Sequence, residues 1–112
     1  MPDTDLRKIL LEAVDEGISS LGDSPKQSIF FYLKTSFKMT KEKIPANLTK
    51  FTEAIESIFG PGASYLEKLI VRRFYEKLGL EYEEAENWNF IDYIDNAEKH
   101  LSFDKGEYNE KE

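Results

Sequence analysis

Apolar residues recur along this chain with the period of a helix. Leu6, Ile9, Leu10, Ala13, Val14, Gly17, Ile18 and Leu21 fall at i, i+3, i+4 and i+7 spacing, which predicts a first helix near 4–21. Asp3, Thr4 and Asp5 suit its start and Gly22 its end. A second stripe, Ile29, Phe30, Leu33 and Phe37, predicts a helix over 25–38. Ser24 is the expected N-cap, with Pro25 at the first helical position and Gln27 closing a capping box. Leu48, Phe51, Ala54, Ile55, Ile58 and Phe59 form the buried side of a third helix over 46–59, after a polar connection from Thr40 to Pro45. Leu66, Leu69, Ile70, Phe74 and Leu78 form the core face of a fourth over 62–78, with Tyr65, Val71 and Tyr75 beside it. Gly79-Leu80 reads as a Schellman ending. A fifth helix over 88–101, capped by Asn87 or Asn89, turns Trp88, Ile91, Ile94, Ala97 and Leu101 inward. No stretch alternates with period two between hairpin turns. The expected fold is an all-α compact bundle of about five helices with short connections. It divides into a single helical domain over 1–102 and a flexible acidic tail over 103–112.

Composition narrows the function classes. The chain has 112 residues and no cysteine, which removes disulfides, thiolate catalysis and cysteine–zinc sites. No apolar run is long enough to span a bilayer, and the acidic-first start MPDTDLRKIL lacks a signal-peptide pattern, so the expectation is a cytoplasmic protein with no membrane contact. Net charge is −7, unevenly spread: 24–50 carries six lysines against Glu42 alone, whereas 80–112 holds 11 acids and 3 bases. The acidic end, Glu81 to Asp95, is expected to lie against the basic side of the domain.

Candidate chemistry is sparse. Gly60-Pro61-Gly62 offers few N–H groups to a phosphate, since proline has none, and no Gly-Lys-Ser/Thr follows. It reads as a corner between the third and fourth helices, with an anion site near Ser64 as the alternative. Arg73 is expected to lay its stem along the core and pair with a carboxylate of the acidic end, the other reading of Arg72-Arg73 being an anion contact. His100 is the sole histidine, and Glu83, Glu84, Glu86, Asp92 and Asp95 lack calcium-loop spacing, so they read as a solvated face. Ser24, Thr40 and Ser64 have no base at a readable spacing. The expectation is a protein that is not an enzyme, with no metal, no cofactor and no small-molecule substrate.

Aromatic content bears on function. Eight Phe, six Tyr and one Trp are many for a core this small. Phe31, Tyr32, Tyr65, Tyr75, Tyr82 and Tyr93 stand beside the main stripes, and all of these but Tyr82, with Arg72, form the candidate interaction surface for a protein partner or a homo-oligomer. A nucleic-acid-binding regulator is the alternative. It would use Lys26, Lys34, Lys38, Lys41, Lys43 and Lys50, with the second and third helices in a loose helix-turn-helix.

From Ser20 to about Ala97 the sequence resembles the nitrosopumilus-type output domain family of small archaeal proteins. The resemblance is carried by LGDSPKQSIFFYL (21–33), Ile44-Pro45, FTEAIESIFGPGASYLEKLIV (51–71), FYEKLGL (74–80) and Trp88 with Phe90-Ile91-Asp92-Tyr93. It implies a helical domain, alone or joined to signalling modules, with an output role exerted through protein contact. It brings no catalytic residues.

Overall fold

The structure, a computed structural model, describes the backbone of residues 2–111 and the side chains of residues 6–101. Among the described residues there are five α-helices and no strand: α1 (Pro2–Ser19), α2 (Asp23–Ser36), α3 (Leu48–Phe59), α4 (Ala63–Leu78) and α5 (Phe90–Lys111). The expected caps Asp3, Thr4 and Asp5 and the tail expected over 103–112 lie outside the described side chains.

α4 is the centre of the bundle: α1 packs along it most extensively, and α3 and α5 also meet it. Leu10, Ala13, Val14 and Ile18 of α1 are buried with Phe51 and Ile55 of α3 and Leu66, Ile70 and Phe74 of α4. The α1–α4 approach depends on Gly17. A Cβ at that position would stand 2.7 Å from Ile70 Cγ1 and 3.6 Å from Ile70 Cα. Ion pairs flank the seam, Lys77 to Glu16 at 2.7 Å and Arg73 to Glu16 at 3.0 Å. Arg73 therefore pairs with α1 and not with the acidic end, because its position on α4 faces the α1 side.

The glycine corner is structural. Gly60 takes φ 56°, ψ −131°, a conformation that side chains disfavour, and Gly60–Gly62 forms a single 3₁₀ turn leading into α4. At the other end of α4, Gly79 is left-handed at φ 75°. Its N–H donates to Glu76 O at 3.1 Å and that of Leu80 to Tyr75 O at 2.9 Å, the Schellman pairing.

Other details depart from expectation. α2 begins at Asp23, with the Gly22 carbonyl accepting from Lys26 N–H at 3.1 Å and no side-chain cap, so Ser24 and Pro25 lie inside the first turn. The supposed polar connection contains a 3₁₀ helix, Lys41–Ala46, that buries Ile44 completely. Met39 is buried just before it, its N–H donating to Leu33 O at 3.0 Å. Ile58 is 38% exposed and Trp88 41% exposed, although both were expected inside. Ile58 turns away on the last turn of α3, and Trp88 precedes α5 in the connecting segment.

Candidate interaction site

The chain leaves α4 through the Schellman turn, and residues 81–89 fold back against that helix. Lys68 Nζ binds Glu84 Oε2 at 2.8 Å, and the Arg72 guanidinium lies 5.3 Å from the centre of the Tyr82 ring. Asn87 takes φ 69°, a left-handed turn that asparagine tolerates. Asn89 and Asp92 then form a reciprocal capping box: Asp92 N–H donates to Asn89 Oδ1 and Asn89 N–H to Asp92 Oδ2, both at 2.9 Å. Asn89, not Asn87, is thus the cap of α5.

A tyrosine network fixes the segment. Tyr93 Oη accepts from Ala85 N–H at 2.9 Å, Tyr75 Oη donates to Tyr93 O at 2.7 Å, and Asn96 Nδ2 donates to Tyr75 Oη at 3.1 Å. The rings pack around it, Tyr75 edge-on to Tyr82 at 5.9 Å, Tyr82 tilted against Tyr93 at 5.6 Å and Trp88 edge-on to Tyr93 at 5.1 Å.

The six candidate residues therefore divide. Arg72, Tyr75 and Tyr93 come together around Tyr82. Tyr75 and Tyr93 are buried, which corrects their assignment to an exposed surface: α5 packs on α4, so Tyr75 on one helix and Tyr93 on the other become interior where the two meet. Phe31 and Tyr65 are 67% and 66% exposed. Tyr32 is half-buried on the α2–α3 side, where its hydroxyl lies 3.0 Å from Ser57 Oγ and its ring meets Phe37 edge-on. These three stand apart from the tyrosine network.

Two clefts open on either side of a wall made by Glu84, Ala85 and Trp88. One, of about 380 Å³, is bounded by Tyr75, Leu80, Asn96 and His100. The other, of about 400 Å³, lies between α4 and the start of α5, lined by Val71, Ala85, Trp88, Phe90 and Glu67. Glu67 is the residue the sequence reading missed. Its Oε2 is shielded from solvent and has no hydrogen-bond partner. Burial, aided by the charge of Glu56, pushes its carboxyl up to about 7. A signal for it did exist: Ala63, Glu67, Val71 and Tyr75 follow one another at i+4 along α4, a second stripe with one carboxyl among buried residues.

The remaining charges make ordinary partnerships. Lys41 and Lys26 bind Asp15 of α1 at 2.8 and 3.2 Å, which lowers its carboxyl. The acidic connecting segment thus meets Lys68 and Arg72 of α4, while these two lysines of the basic stretch meet α1. α2 and α3 are separated by the 3₁₀ helix, not by the tight turn of a helix-turn-helix. Ser20, Ser57 and Ser64 bond to Gly17 O, the Tyr32 hydroxyl and Pro61 O, none of them a base. Among the described residues, no three acids or histidines group as a metal site, and no helix is long and apolar enough to cross a membrane. Compared with protein-family models, curated proteins and solved structures, the chain matches none of them.

Proposed function

We propose that this chain is a non-enzymatic protein-interaction module that acts as a signalling output domain. The carrying observation is the exposure of large apolar side chains: Phe31 and Tyr65 are about two-thirds exposed and Trp88 is 41% exposed, on a fold that encloses Phe51, Phe74 and Phe90. Rigid aromatics in contact with water contribute to binding when a partner covers them, and Phe31 and Tyr65 bury little of their surface within this fold. The Glu67 cleft supports the same reading. A carboxyl near neutrality whose neighbours on the cleft are Ser64, bonded to Pro61 O, and Glu84, paired with Lys68, is equipped to hold a proton or a cation and not to carry a reaction. The resemblance over 20–97 to a signalling output family agrees with it, and self-association belongs to the same proposal.

The test is a triple variant, Phe31→Ser, Tyr65→Ser and Trp88→Ser, compared with the wild type. The variant is expected to keep its helicity while losing captured partners and any mass increase in light scattering at rising concentration. A wild type that stays strictly monomeric, with a captured set identical to that of the variant, contradicts the reading.

A further inference from the structure

The cleft beside Trp88 combines three properties that specify a ligand. Its walls are apolar, formed by Val71, Ala85 and Phe90. Its floor carries an unpaired, shielded oxygen, Glu67 Oε2. On its rim Lys68 is already held by Glu84 at 2.8 Å, so the lysine there has its counter-ion and Glu67 is the acid left to meet a ligand. A neutral apolar ligand would leave the Glu67 oxygen unpaired, and an anion would meet like charge. A long side chain with an apolar stem and a cationic head satisfies walls, floor and rim together. The exposed Trp88 ring adds a face on which such a head can rest.

We propose that this cleft receives an arginine or lysine side chain from a basic segment of a partner protein, with Glu67 as its counter-ion and Trp88 as the ring beside it. The inference deepens the interaction-module reading and rests on it. The groups facing Glu67 act in known senses. Glu56 on α3 opposes ionisation, the Lys68–Glu84 pair spans the rim from α4 to the connecting segment, and Tyr93 of α5 presents a hydroxyl already engaged by Ala85. An incoming cation reverses the Glu56 effect and draws the proton from Glu67. Binding therefore strengthens as the pH rises through about 7, where the carboxyl titrates.

Trp88 is the chain's single tryptophan, so its emission reports the wall between the two clefts, and the E67Q variant tells this cleft from its neighbour. The probe is the capped tripeptide Leu-Arg-Leu, with Leu-norleucine-Leu as the uncharged control, titrated at pH 6 and pH 8 and followed by Trp88 emission and calorimetry. The arginine peptide is expected to bind saturably with a change in emission, about tenfold more tightly at pH 8 than at pH 6, as the ionised fraction of a group titrating near 7 rises. E67Q is expected to abolish that pH dependence and most of the affinity, and E53Q, on exposed α3 surface, to change neither. Equal binding of the norleucine peptide, unchanged binding by E67Q, heat without a Trp88 response, or no binding at all overturns the proposal. Concentration-dependent quenching of Trp88 without peptide gives the cleft to a second copy of the chain and overturns the assignment to a partner. None of these outcomes decides the triple-variant experiment, which also tests Phe31 and Tyr65 away from the cleft.

Discussion

Glu67 is the residue whose environment departs furthest from that of an ordinary surface carboxylate. Its carboxyl titrates near 7 when folded and near 4.5 in the unfolded chain. Between those values the native state holds the proton more tightly, so this group's contribution to stability falls as the pH rises from about 4.5 through 7. Asp15, Glu16 and Glu84 act in the opposite sense. Lys41, Lys77 and Lys68 respectively hold them below their usual values, so their contribution is present at neutral pH and is lost as the pH falls. Comparing Glu67→Gln with the wild type removes those common terms. In urea melts the glutamine variant is expected to be more stable by about 1–2 kcal/mol at pH 8, after allowing for solvent screening of a half-buried group, with the difference shrinking toward zero near pH 4.5. A difference that does not change with pH would show that Glu67 ionises as freely as an exposed glutamate.

At the scale of elements, the α1–α4 pair carries the fold, and its close approach depends on a single absent methyl. Gly17→Val would put branched carbon where even a Cβ lies 2.7 Å from Ile70 Cγ1, and Ile70 is fully buried with no room to withdraw. The expected loss is about 1–3 kcal/mol in chemical denaturation, and an unchanged midpoint would mean the two helices are not packed as described. The five helices were legible in the sequence because each carries at least one stripe at helical spacing, as Leu10, Val14 and Ile18 do in α1. The glycine corner and the Schellman end were legible because glycine and proline mark chain reversals directly. Ile44 and Met39 were not, since they are buried by a 3₁₀ helix and a helix end too short to show any period. The candidate site was read least well. A stripe-by-stripe reading treats each helix as having one neighbour, whereas α4 has several, and so Tyr75 and Tyr93 were placed outside and Glu67 was passed over. Phe31 and Tyr65 are exposed, on helix faces that no other element covers.

Across the whole molecule, the acidic end is part of the fold and builds the site. Charge alone cannot hold it, since exposed pairs such as Lys68–Glu84 are each worth only about 0–1 kcal/mol. Phe90, Tyr93, Ile94 and Ala97 are buried, and side chains of this kind contribute about 1.5–3 kcal/mol each when large and fully buried. The hydrophobic attachment of α5 positions Tyr93, Tyr93 fixes Ala85, and the Ala85–Trp88 wall closes the cleft over Glu67. Every functional claim about the cleft depends on that sequence of contacts. Native-state hydrogen exchange of the full chain tests it most directly at one amide, Ala85 N–H, which lies in an acidic connection outside any helix and is held by the Tyr93 hydroxyl at 2.9 Å. The expected result is an exchange rate slowed well below that of a free peptide, and restored by Tyr93→Phe. Free-peptide exchange at Ala85 in the wild-type chain would contradict the account, since it would mean that residues 81–89 do not dock and that the cleft has no wall.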